Sequence, residues 1–145
     1  MTNELTIRFE QSSNVFRPKA EVRGVCQWKC SENSKADSGA LYLLWYTDGV
    51  GTQDIGIVAS QEFKVNSRIG ESRFSFTLPE SPLSISTSII SVLWAVEAVI
   101  GKDSTRVPFV NSPWGKEIVM LYEDEHAEDF SEEDEESLDD NEFQG

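Results

Sequence analysis

Residues Arg73–Ile100, RFSFTLPESPLSISTSIISVLWAVEAVI, decide how the rest of the chain is read. Phe74, Phe76 and Leu78 alternate with Ser75 and Thr77, the period of two that marks a half-buried strand. Pro79 and Pro82 stop that strand, because proline has no N–H to give to a ladder. In the second half Ile90, Val92, Trp94, Val96, Ala98 and Ile100 share one face. The opposite face holds Ser91, Leu93, Ala95, Glu97 and Val99 and is nearly as apolar. A strand apolar on both faces belongs inside a sheet rather than at its edge.

Working outward, strand candidates follow one another. Leu5, Ile7 and Phe9 alternate with polar residues. Val22, Gly24, Cys26, Trp28 and Cys30 share a face against Arg23, Gln27 and Lys29. Gly24 inside that run predicts a bulge or a close approach of another backbone. Ala40–Thr47 reads as a second central strand. Gln53–Val65 reads as one longer strand or two short ones, with Ile55, Ile57 and Ala59 on one face. Gly101–Ser104 is a tight hairpin-like loop. Arg106–Val110 is a short strand that Pro108 demotes to an edge, and Lys116–Tyr122 is a last strand. About eight strands separated by turn signals, with no helical spacing, predict an all-β fold: an immunoglobulin-like, two-sheet antiparallel sandwich.

Three features of this order resemble one arrestin-like domain of the N-terminal type. They are the strand ending F-x-F-x-L-P, the strand V-x-W-x-V-x-A beyond a Pro/Ser-rich crossing, and Phe16-Arg17-Pro18 before Glu21-Val22-Arg23-Gly24-Val25. Gly70, four residues before Phe74, also resembles that family's glycine before its F-x-F strand. The resemblance covers about residues 5–110, one sandwich where full arrestins have two. Lys19 departs from it, standing where the family has glycine after the proline. The resemblance implies an adaptor-like binding protein. It does not transfer receptor binding, which depends on a second domain.

Charge divides the chain. Of 26 acidic residues, 13 lie in 1–122 beside all 12 lysines and arginines, and 13 lie in 123–145 with none. The expected organisation is a near-neutral sandwich over 1–122 and a disordered acidic tail over 123–145. Scattered Phe130, Leu138 and Phe143 offer that tail too little apolar surface to offset ordering. The tail reads either as a solubilising spacer or as a polyanion that docks on a basic surface. Ser131 and Ser137, each followed by acids, suit an acidic-directed kinase.

The start of the chain has no apolar core of a signal peptide, and the apolar run near Ile89–Ile100 is too short and interrupted to span a membrane. A cytoplasmic location is expected. Cys26 and Cys30, four residues apart on one strand, would stand roughly 13 Å apart, beyond disulfide reach, and are read as buried thiols. The single histidine, His126, lies in the tail, which argues against a catalytic triad and against a closed zinc site. No catalytic, cofactor or metal residue is expected. Asp48 and Asp54 read as turn acids, and Gly49-Val50-Gly51 as a hairpin loop without the lysine or helix of a phosphate loop.

Trp28, Trp45 and Trp94 read as core. Trp114, between Pro113 and Gly115, either caps an end of the sandwich or anchors a partner. Arg17, Lys19 and Arg23 are the closest grouping of bases. They are candidate partner contacts or an ordinary solvated strand face, and no direct nucleic-acid binding is expected. The expected function is a non-catalytic protein-interaction or scaffold module with a protein partner. The alternatives are a regulatory protein whose tail competes for a basic, nucleic-acid-binding partner, and a sandwich that binds a small molecule or carbohydrate.

Overall fold

The computed structural model describes residues 3–49, 51, 53–87, 89–116 and 118–120. The acidic segment over 123–145, with Phe130, Ser131, Ser137 and His126, lies outside the described residues.

The fold is the all-β sandwich. Among the described residues ten strands follow in order: β1 Glu4–Phe9, β2 Val15–Phe16, β3 Glu21–Lys29, β4 Ser38–Gly49, β5 Ile55–Lys64, β6 Ile69–Thr77, β7 Ile85–Thr87, β8 Ile90–Ile100, β9 Asp103–Asn111 and β10 Ile118–Met120. The smaller sheet has the order β1-β3-β6. The larger runs β10-β7-β8-β4-β5, with β9 also on β8 and β2 on β9. β8 is interior as expected. It pairs with β4 along one side, and with β7 and then β9 along the other.

The period-two pattern sets which face each strand buries. Val22, Cys26, Trp28, Phe74, Phe76 and Leu78 face inward from the smaller sheet. Leu41, Leu43, Phe63, Trp94, Val96, Ala98, Ile100 and Phe109 meet them from the larger. Each valine, leucine, isoleucine or phenylalanine among them contributes roughly 1.5–3 kcal/mol by leaving water. Phe9, Phe16 and Phe109 pack edge to face with centroids 5.3–5.8 Å apart. Trp28 stacks on Phe63 at 5.0 Å. Trp94 is fully buried, and its Nε1–H donates to the Pro82 carbonyl at 2.7 Å. Asn111 Nδ2 donates to the same oxygen at 3.1 Å, so the Pro-rich crossing is tied to β8 and β9.

One sequence reading is decided between its two alternatives, and three change. Gly24 is not at a bulge: its register with Phe9 and with Phe74 is uninterrupted, and close approach is what requires glycine there. Trp45 is half-buried, lying at the rim of the core over Gly56, where a Cβ would meet its ring at 2.3 Å. Ile57 and Ala59 do not share a face, because the β4–β5 register shifts between Leu43 and Leu44. The strand carrying Pro108 is nine residues long, and β2 covers its end.

Lys19, where the resembled family has glycine, has φ +71°. This turn holds a left-handed backbone that glycine adopts without cost, and a lysine bears it here.

Candidate interaction surface

Among the described residues, strand β5 lies at the end of the larger sheet and pairs with β4 alone. Tyr46, Trp45 and Leu44 lie opposite Ile55, Gly56 and Ile57. Leu43 then lies opposite Ala59, so Val58 is the extra residue of a β-bulge. A bulge turns two successive side chains to one side of a sheet. Ile55, Ile57 and Val58 are 51, 61 and 42 % exposed, while Ala59 returns to the core side. Three branched apolar side chains thus stand in solvent on one short stretch.

The solvent face beside them is apolar as well. Leu44 and Ala95, opposite each other in β4 and β8, are buried although they point away from the core between the sheets. The Arg106 guanidinium covers this zone, 4.7 Å from the Tyr46 ring centroid and 3.1 Å from Glu97 Oε1. Further along β5 the two sheets are tied together: Gln61 Nε2 donates to the Arg73 carbonyl at 2.8 Å.

The bases nearest in sequence do not form one patch. Lys19 pairs with Glu80 at 2.7 Å. Arg23 pairs with Glu21 at 3.0 Å and lies 3.9 Å from Glu10. Arg17 is exposed, and its carbonyl accepts the Ala20 N–H. The parallel β2–β9 register, with Phe16 opposite Asn111, puts Arg17 at the end of the sandwich from which Trp114 departs. Strand pairing instead gathers bases that are remote in sequence. Arg8 and Arg73 both lie opposite Val25, and with Arg23 they line adjoining concavities of about 200 and 410 Å³ on the smaller sheet. Trp114 is 66 % exposed, and its N–H donates to Ser112 Oγ at 3.2 Å.

Neither cysteine is placed for chemistry. Cys26 and Cys30 are free and buried, and burial pushes the Cys26 thiol up to about 11, away from the nucleophilic thiolate. Asp48 and Asp54 are both exposed, and the Asp54 N–H donates to Thr47 Oγ1 at 2.9 Å, as a turn residue would.

No family model matches the chain, and no curated protein matches it. Among solved structures it is similar to Spo0M, a sporulation control protein from Bacillus subtilis, with TM-score 0.56 and 18 % identity over 79 % of this chain. The chain spans about half of that structure, 52 %. The likeness supports an arrestin-like fold and, at this identity, speaks of the fold alone. A β-glucosidase from Listeria innocua overlaps 76 % of this chain and 16 % of its own, at TM-score 0.42 and 13 % identity, too slight to bear on function. Among the described residues no helix is long and apolar enough to cross a membrane.

Proposed function

We propose that this chain is a non-catalytic, adaptor-like protein-interaction module, a sandwich over residues 1–122 carrying an acidic tail. The observation that carries this reading is the exposure of Ile55, Ile57 and Val58 together on a terminal strand. Exposed branched side chains gathered on an open sheet edge cost solubility and invite association, and they mark a surface meant to be covered. The Spo0M likeness adds a regulatory protein as a bearer of this fold. Trp114 and Arg17, at an end of the sandwich, form a second contact region in this reading, with Lys19 and Arg23 beside it in solvated ion pairs.

The test is affinity capture from the host lysate with the full chain, with a chain ending at Tyr122, and with an Ile55→Ser/Ile57→Ser double variant. The same specific partners with the first two chains, lost with the third, support the reading. Partners that persist on the double variant and vanish on truncation would assign binding to the tail instead.

A further inference from the structure

The geometry points to strand addition at Ile55–Ile57: an extended segment of a partner protein, apolar at its centre and flanked by lysine or arginine, completes the larger sheet beside β5. The inference rests on the reading of this edge as a partner surface and names what binds there.

The backbone argument starts from one hydrogen bond. The Thr47 N–H donates to the Asp54 carbonyl at 2.9 Å, so residues 47 and 54 form a hydrogen-bonded pair. Pairing alternates along an antiparallel ladder, so Trp45 and Gly56 are the next such pair. Ile55 and Ile57 then turn their N–H and C=O groups away from β4, towards the open side of the sheet. Among the described residues nothing accepts or donates there. The two most exposed large apolar side chains of β5 therefore belong to the residues whose backbone lacks a partner among the described residues, spaced about 6.8 Å apart as one strand reads another.

Side chains and charge describe the occupant. Residues opposite Ile55 and Ile57 would lie on their solvent face. The residue between them, opposite Gly56, would lie on the side where the half-buried Trp45 indole rests. From Ile55 to Gln61 the edge has no charge, whereas the edge strand β1 carries Glu4 and Arg8, a usual guard against pairing. Asp54 and Glu62, both exposed, bound the uncharged run and favour basic flanks, more strongly at the Asp54 end because Arg23 and Arg73 line a concavity with Gln61 at the other. The same two acids repel the chain's own segment 123–145, with its 13 acids. Three side chains fall well short of the roughly 800 Å² a side that a stable pair of proteins buries, and the bulge at Val58 limits the paired length. A short segment fits where a second copy does not.

The experiment selects displayed random heptapeptides on the full chain. The best is then synthesised in two forms, each N-methylated at one alternate set of amides. Expected are apolar centres with basic flanks. One methylated form should bind at least about tenfold more weakly, and the other within about twofold of the parent, because only one set of amides faces β5. No enrichment, acidic peptides, or equal tolerance of both methylated forms would overturn the inference. If Ile57→Ser abolishes binding while both methylated forms still bind, strand addition fails but the partner surface stands. If neither change matters, both readings fail. A concentration-dependent dimer of the full chain, dissolved by Ile57→Pro in a variant of unchanged thermal midpoint, would make a second copy the occupant and overturn the choice of partner.

Discussion

Gly24→Ala is the substitution that most directly probes how β1, β3 and β6 lie together. A Cβ at residue 24 would stand 2.3 Å from the Arg8 carbonyl oxygen, and 2.7 and 3.0 Å from atoms of the Phe74 ring. The ring can tilt, but it is buried and tied to its neighbours: Phe74 and Phe76 have centroids 5.8 Å apart. The carbonyl cannot withdraw without stretching the ladder that joins Arg8 to Val25. Overpacking of this kind costs about 1–3 kcal/mol, and the backbone origin of the clash puts it in the upper half of that range. Alanine returns about 0.4–1 kcal/mol by reducing the freedom of the unfolded chain. The expected net loss is about 2 kcal/mol.

Urea unfolding of the purified chain measures this. With a slope of about 1–3 kcal/mol per molar urea, the midpoint should fall by about 1 M. Ser75→Ala, on the exposed face of the same sheet, should move it little. A Gly24→Ala midpoint equal to that of the unsubstituted chain would refute the reasoning, since the strands could not then be in the stated register at that spacing.

Trp94→Ala should lose about 3–5 kcal/mol, because it empties a fully buried site and removes the bond to Pro82; an unchanged midpoint would mean that the two faces of β8 are exchanged. Cys26 is neutral in the folded state up to about 11 while its unfolded thiol ionises from about 9, so the unfolded state loses its proton first and stability falls between those pH values. The difference in unfolding free energy between wild type and Cys26→Ala, from urea titrations, should therefore narrow from pH 8 to pH 11, by on the order of 2 kcal/mol; a constant difference would count against the burial of that thiol. Lys19→Gly should raise the unfolding free energy by up to about 1 kcal/mol, since it relieves the φ of +71° and gives up only an exposed ion pair with Glu80; a fall would show that the turn depends on that pair. Deleting the segment 123–145 should leave the thermal midpoint nearly unchanged, and any binding that depends on it should weaken steeply with salt.

Much of the fold was legible because burial repeats every two residues. Val22, Cys26 and Trp28 declare an inward face, and Leu93 to Val99 betray a strand flanked on both sides. The glycines were legible only in part. Gly24 announces crowding without saying by what, and the answer comes from Arg8 and Phe74, neither of them a sequence neighbour. Gly56 and Gly70 each lie beneath a tryptophan, Trp45 and Trp28, and no local rule pairs a glycine with a ring on another strand. The same limit hid the gathering of Arg8 and Arg73 about Val25, which only strand order creates.

The candidate surface was the least legible part, for a specific reason. Ile55, Ile57 and Ala59 have the spacing of one strand face, and that spacing argues for a shared environment. One inserted residue breaks the inference: with Val58 bulged, Ile57 and Val58 go to solvent and Ala59 goes inward. A bulge has no reliable signature in a single sequence, since valine is at home in regular strand. Its effect here is to concentrate exposed apolar side chains at two residues whose backbone has no partner among the described residues. Removing the bulge by deleting Val58 would restore the simple alternation and extend the regular pairing of β4 with β5. It would also leave fewer branched side chains in solvent at the edge. The bulge itself shortens the stretch over which this edge can pair, so it is the exposed side chains beside it, and not the bulge, that a binding role for β5 accounts for.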